Sequence, residues 1–454
     1  MKSLLKLGFL SAAILLVASS CQKVTQTTRY TANVPQYLSY EDLRSSIHND
    51  NERSLERPGK IFLYNSLILI NDYETGIHIY DNSNPSSPNH IGFINIPGNV
   101  DIAVRDNILY VDSYVDLVAV DISDPSNVQE IGRAEGALSY TIPSQMDWNY
   151  PVAQIDQSKG VVTGFEVGEV EETCENEACR TFYRNNMSSD WNGSWGGQMM
   201  SDNGSPVSFS GNTNNVRSTS SATGNAGIAG SMARFMLVDN FLYVISDENT
   251  VNVFDITTSN MREVNTFQPW QQAGGGRGVI ETLFTFKDRL FIGSNVGMLA
   301  YNISDPSSPQ YLSSYSHLTS CDPVVANDDY AFVTLRAGTA CGATNTNQMD
   351  VLDIVDIMSP TIVNTVNLSN PHGLDIDSEK NMVFVCDGMD GLKVYDYSNV
   401  NEIQNNQLNH IAGLNTYDII LNNGIAHMIG DDGLRQYSYD DAGTLVELST
   451  IPLN

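Results

Sequence analysis

Short apolar runs alternate with polar residues along most of this chain, and many of them end in the same way. Leu117-Val-Ala-Val-Asp121 runs into Ile122-Ser-Asp124-Pro125, and Ile77-His-Ile-Tyr-Asp81 into Asn82-Ser-Asn84-Pro85. Leu299-Ala-Tyr301-Asn302 does the same with Ile303-Ser-Asp305-Pro306. Looser copies are Val251 to Asp255, Val351 to Ile354, Leu392 to Asp396 and Leu434 to Ser438. Alternation with a period of two marks a half-buried strand, and Asx-Pro pairs form turns. Recurrence at a fixed period points to a repeat architecture.

The clearest unit is Asn99 to Glu135. It reads as a strand at Asp101-Ile-Ala-Val104, a turn at Asp106-Asn107, a strand from Ile108 to Asp112, the motif strand from Leu117 to Asp121, and a fourth from Val128 to Gly132. Four antiparallel strands in about forty residues make a β-propeller blade. The predicted fold is therefore all-β: a seven-bladed β-propeller of four-stranded antiparallel blades, with eight blades as the alternative and one long insertion. Blades one and two take residues 60–136, the insertion 137–231, and blades three to seven 232–454. Blade one from Ile61 to Ile96 and blade seven up to Pro452 are each complete, so no strand remains to close the ring by exchange between the termini. The segment before Lys60 or the strand-like Val161 to Val170 is the candidate for an extra edge or an eighth unit.

The insertion changes character along its length. Val161 to Val170 alternates like a strand and leads to an acidic stretch with Cys174 and Cys179. From Asn192 to Ser231 the chain is Gly, Ser, Asn and Thr, which cannot bury a core and reads as a flexible loop; Trp191 and Trp195 at its start are candidate carbohydrate or protein contacts. Residues 22–59 read as a polar tether followed by a short helix, with Leu38, Leu43 and Ile47 loosely on one face.

Charge narrows the range of partners. With 23 Lys and Arg against 53 Asp and Glu, the formal net charge is −30. That argues against nucleic acid, whose recognition needs a positive footprint, and against docking on anionic lipid. The first residues read as an export signal over residues 1–21. A basic start from Met1 to Lys6 precedes an apolar run from Leu7 to Val17 that is too short to span a bilayer. Val17-Ala-Ser-Ser20-Cys21 resembles the bacterial lipobox, which implies cleavage before Cys21 and a diacylglyceryl group on its sulfur. The expected location is the cell envelope, lipid-anchored, in the outer membrane. Gln22-Lys23-Val24 carries no acid, which favours its periplasmic side over the surface. In that oxidising compartment Cys174 with Cys179, and Cys321 with Cys341, are disulfide candidates, with zinc the lesser alternative for the first pair. Cys386 reads as a small buried strand residue.

Copies such as Leu117-Val-Ala-Val-Asp121-Ile-Ser-Asp-Pro125 resemble the LVIVD repeat of exported bacterial and archaeal proteins, including lipoproteins of the Bacteroidetes type. The likeness spans about Lys60 to Pro452 outside the insertion and implies a propeller. It implies no activity, since the family has no common established reaction. Asn302 and Ser438 replace the motif Asp, and Pro is missing after Asp255 and Asp396. Such departures suit a turn former, which accepts backbone N–H groups, better than a shared catalytic acid.

The position that opens each inner strand is more telling, because inner strands line the central channel. Counting back from each second strand gives Lys60, Asp101, Arg234, Leu283, Pro323, Asp375 and Asp418, with Glu281, Asp322, His372 and Tyr417 beside them. The expected ligand-binding residues at one channel mouth are Asp101, Arg234, Glu281, Asp322, His372, Asp375, Tyr417 and Asp418. Converging carboxylates would call for Ca2+ or another cation, the one cofactor expected here. Gly-x-Ser-x-Gly, Walker and His-Glu-x-x-His motifs are absent from the sequence. The favoured function is a non-catalytic binding or scaffolding module for an envelope protein or glycan. The alternative is a glycan hydrolase or lyase using Asp101, Asp375, Asp418 and His372 as acid/base groups. An enzyme would set those acids in an open cleft; a binding module would leave them paired.

Overall fold

A computed structural model describes residues 25–175, 226–275, 278–316, 323–338 and 346–453. The described chain divides into two compact units. The larger is a seven-bladed β-propeller, and each blade is an antiparallel sheet with its strands in sequence order from the axis outward. The innermost strands are Pro58–Tyr64, Ile102–Arg105, Phe235–Val238, Ile280–Phe286, Val324–Ala326, Leu374–Asp377 and Thr416–Asn422. The outermost core strands are Asn89–Asn95, Gln129–Ala134, Arg262–Phe267, Gln310–Ser316, Thr361–Asn367, Gln407–Ile411 and Leu445–Pro452.

The motif Asp performs as a turn former. Asp81, Asp121, Asp255, Asn302, Asp353 and Asp396 each accept, through Oδ1, the backbone N–H two residues on. That bond fixes the turn from third to fourth strand, so Asn serves as well as Asp. Apolar side chains of the middle strands fill the gaps between blades, as where Ile77, Ile79, Leu109, Val118 and Val120 pack together between blades one and two. Fully burying one such side chain contributes about 1.5–3 kcal/mol.

Ring closure needs no exchanged strand. Blades one and seven meet through Ile61, Ile68 and Ile70 against Ile420, Ile429, Leu434 and Ile451. Asn82 and Gln436 exchange side-chain amide bonds of 2.9 and 2.7 Å across the join, and the Ser449 hydroxyl donates to the Pro85 carbonyl. Blade one also gains a strand at each edge, His48–Asp50 on the outside and Ile228–Ala229 on the axis.

Several third strands begin on a glycine pressed against the fourth strand. At Gly433, with φ +110°, an added Cβ would lie 2.0 Å from the Ile451 carbonyl oxygen; at Gly391, with φ +86°, it would lie 1.9 Å from that of Ile411. Both the backbone angle and the space demand glycine. Gly433→Ala is expected to lower stability by about 1–3 kcal/mol in urea unfolding. A loss below a few tenths would mean that the outer strand yields.

Within residues 22–59, expected to be a tether and a short helix, the described part opens differently. Thr25–Leu38 is a strand paired in antiparallel register with Val161–Glu175 over its whole length. Arg29 pairs with Glu171 at 2.6 Å, and the Tyr30 hydroxyl donates to Glu172 at 2.6 Å. Asn33 ties residues 147–150 to this ribbon, donating to the Asp147 and Tyr150 carbonyls and accepting from the Asp147 N–H. The two strand-like segments thus pair with each other and form no eighth blade. The expected short helix exists at Tyr40–Arg44, capped by Ser39 accepting from the Asp42 N–H, with Leu43 buried. Cys21, Cys179, Cys321, Cys341, Asp322, Trp191 and Trp195 lie outside the described residues, as does the side chain of Cys174. Cys386 is buried in the second strand of blade six.

Candidate functional site

The channel is occupied by the chain itself. The residues that return from the insertion, Ala226 to Arg234, climb the axis from the end of the inner strands to their start. Ala226 bridges to Arg105, and the Gly227 N–H donates to the Val104 carbonyl. Ile228 and Ala229 then pair with Leu63 and Phe62. Above them the Ser231 hydroxyl accepts the Leu374 N–H at 2.8 Å and bonds Asp418 at 3.1 Å, while the Lys60 ammonium donates to the Met232 carbonyl at 2.6 Å. The Ala233 carbonyl accepts from Leu283, and the Arg234 N–H donates to Asp101. Nine residues therefore touch blades one, two, four, six and seven. A side chain at Gly227 would lie 2.2 Å from the Phe62 ring, so glycine sets the approach. The expectation of a flexible stretch up to Ser231 is wrong for its last six residues.

This pin explains where the predicted acids go. Asp101 Oδ2 accepts the Arg234 N–H at 2.8 Å and faces Lys60 Nζ at 3.1 Å; its Oδ1 takes the Ile102 N–H. In blade six Asp375 repeats the device, accepting Ile376 through Oδ1 and Leu421 of the next blade through Oδ2. Asp418 Oδ1 meets Ser231, and its Oδ2 is buried without a hydrogen-bond partner. All three are interior. Burial raises the Asp418 carboxyl to about 8 despite Lys60, and pushes Asp375 well above the usual carboxylate range. Gly373 is a glycine because a Cβ there would lie 1.8 Å from Asp418 Oδ1.

His372 is buried beside Tyr417, ring centroids 5.6 Å apart, and contacts Arg336 Nη1 at 3.3 Å and Asn370 Nδ2 at 3.2 Å. Burial, aided by the Arg336 charge, holds its pKa well below the ordinary histidine value, so the imidazole is neutral. Glu281 is half-buried and its charge acts on Arg336. The expected convergence of acids on a cation is not formed: among the described residues no three His, Cys, Asp or Glu side chains are grouped to hold a metal. The reason is that Asp101 and Asp375 are spent on backbone N–H groups and Lys60, and Asp418 on the Ser231 hydroxyl.

What stays accessible is the rim. Arg57, Tyr73, Glu74, Asp112, Tyr114 and Arg234 are all half-buried there. Arg57 donates to the Tyr73 carbonyl at 2.7 Å with its guanidinium 5.3 Å from the Tyr73 ring. Asp112 Oδ1 gathers the N–H groups of Val100 and Asp101 and the Asn99 amide, yet burial still raises its carboxyl to about 6. Burial and then Glu74 push the Tyr114 phenol to about 12, and burial raises Glu74 itself. Of these only Arg234 was singled out from the sequence. Tyr73, Glu74 and Tyr114 lie on turns between second and third strands, Asp112 near the end of the second strand of blade two, and Arg57 ahead of the first blade. Their signal was the pair Tyr73-Glu74 and Tyr114 at matching turns. Two guanidinium groups, two carboxyls and two phenols can bond and stack with a polar ligand, and none forms a nucleophile–base pair.

No protein-family model matches the sequence, and no curated protein matches it. The likeness to the LVIVD repeat therefore rests on the quoted motifs alone. Solved structures match over most of the chain. The computationally designed Ika8 protein is 11% identical with a TM-score of 0.48, covering 87% of each chain. BamB from Moraxella catarrhalis is 8% identical with a TM-score of 0.45, covering 94% of this chain and 98% of its own. A protein from Bacteroides fragilis described as a putative 6-phosphogluconolactonase is 9% identical with a TM-score of 0.46, covering 89% and 94%. Likenesses this distant carry no function across.

Proposed function

We propose that this chain is a non-catalytic binding module of the cell envelope, held by lipid on Cys21, that engages a protein or glycan at the rim of its channel. One observation carries this: Ala226 to Arg234 run along the inner strands inside the ring, and Asp101, Asp375 and Asp418, the acids an enzyme would need, are buried beside that segment or against neighbouring backbone, while Arg57, Tyr73, Glu74 and Tyr114 remain within reach of solvent. The LVIVD-type motifs fit an exported lipoprotein, and a net charge of −30 disfavours nucleic acid and anionic lipid as partners.

The test places a photoreactive residue at Tyr114 and, on the opposite face, at Ser83, in cells producing the full chain. A specific adduct is expected from position 114 alone. Glu74→Lys is expected to weaken recovery of that partner at least tenfold with unchanged thermal unfolding. Adducts from position 83 only, or recovery indifferent to Glu74→Lys, would overturn the rim as the site. Turnover of an envelope glycan abolished by Asp418→Asn would restore the enzyme reading. Mass spectrometry of the mature amino terminus checks the anchor; an unacylated Cys21 would remove it.

A further inference from the structure

The turn from third to fourth strand provides an internal control, because it is built several times from the same bonds. Two residues after the motif Asp or Asn stand Ser83, Ser123, Thr257, Ser304 and Ser398. Blade five has Val355. Five residues after it stand Ser86, Ser126 and Ser307 in the Asx-Pro blades, and blade five has Met358. The turn is nonetheless the same: Val355 N–H donates to Asp353 at 3.0 Å and Met358 N–H to Asp356 at 3.1 Å, as Ser123 does to Asp121 and Ser126 to Asp124. The fold therefore asks for no apolar side chain at either place.

Neither side chain is buried within the chain. Val355 is 66% exposed and Met358 60%. Ile362 follows on the outer strand at 47%, where the residue opposite the same motif position is Glu130, Glu263 or Glu447 in three blades and His90, Tyr311 or Gln407 in the other three. A cluster of exposed apolar residues, polar in sibling repeats, marks a contact surface. Its surroundings are acidic. Asp353 and Asp356 belong to the same turn. Asp328 and Asp329 lie on the neighbouring turn of blade five, joined to it by the Ile354 N–H donating to the Asp329 carbonyl. Lys287 of blade four pairs with Asp328 and offsets part of that charge.

We propose that Val355, Met358 and Ile362 form a docking surface for a second protein whose contact patch is apolar at its centre and ringed by Lys or Arg. The surface lies at the face opposite the rim of Tyr73 and Tyr114, so the module joins two partners. Charge complementarity selects the occupant. A second copy of this strongly acidic chain would set like charges against Asp328, Asp329, Asp353 and Asp356, and an anionic lipid surface would be repelled in the same way.

The experiment restores the sibling residues. Val355→Ser with Met358→Ser keeps a turn that serine already builds in other blades, so folding is retained and is verified by thermal unfolding. A photoreactive residue is placed at Ile362 and, for comparison, at Glu130 of blade two. Position 362 is expected to give one protein adduct that Glu130 does not. In the serine double variant that adduct should fall at least tenfold, and raising salt from 50 to 500 mM should weaken it in the parent chain. An adduct to a second copy, an adduct to lipid, an adduct equal at both positions, or one untouched by the serine variant would overturn the proposal. The rim reading is tested at position 114 and stands or falls separately.

Discussion

Asp101→Ala is expected to cost the propeller about 3–5 kcal/mol, the range found when one partner of a buried charge pair is removed. The Lys60 ammonium, fully interior, would keep only the Met232 carbonyl and the distant charge of Asp418. Burial already lowers the Lys60 pKa, and Asp101 is the chief influence opposing that. The Arg234 and Ile102 N–H groups would lose their acceptor at the same time, each an unsatisfied buried donor. Asp101→Asn retains an acceptor and should cost less than the alanine variant. Urea unfolding of the two variants measures the difference. A cost within about 0.5 kcal/mol for Asp101→Ala, the ordinary result at an exposed site, would show that Asp101 is not the bolt between pin and ring.

The second large effect is on pH. Asp418 has its folded pKa raised to about 8 from an ordinary 3.8. A raised folded pKa stabilises the protein fully below the unfolded value, and that contribution is lost as pH rises through the folded one. His427, neutral and buried with its pKa lowered to about 4 from 6.5, works oppositely and loses stability as pH falls through that interval. Between pH 6.5 and 8 the histidine's contribution is constant, and the Asp418 loss accumulates to roughly 2 kcal/mol at about 1.4 kcal/mol per unit. Asp375, raised in the same sense, steepens the fall. Asp418→Asn keeps an oxygen for Ser231 and cannot ionise. Its unfolding midpoint should fall less steeply than the parent's over that window, keeping only the part due to Asp375, and should exceed the parent's at pH 8. A parent profile already flat there would mean that Asp418 is solvated in the folded chain.

The ring was legible because its signal is repeated. Six of the seven blades end their third strand on the same Asx turn, and a misread copy is corrected by its siblings. The register was legible too, since counting back placed Lys60, Asp101, Asp375 and Asp418 together at the start of inner strands. What could not be read was how those charges are spent. Gly227-Ile-Ala-Gly-Ser-Met-Ala233 shows neither strand alternation nor apolar bulk, and it follows a Gly- and Ser-rich stretch. Its order comes entirely from the inner strands that surround it, a tertiary cause with no local trace. The ribbon of Thr25–Leu38 with Val161–Glu175 was half hidden for a related reason: Val161 to Val170 alternates like a strand, but its partner is far away in sequence and polar enough alone to pass for a tether. The rim residues sat on turns whose polarity is unremarkable until the blades are closed into a ring.

Both the stability and the binding of the module depend on Ala226 to Arg234 being held against the inner strands inside the ring. Native-state hydrogen exchange of the unaltered protein tests it directly, at the amides of Gly227 and Arg234 and at Leu283 and Leu374, which donate to the pin. These four are predicted to exchange as slowly as the inner strands, by global unfolding. Exchange at loop-like rates would mean an open channel whose acids face water, and would contradict the account.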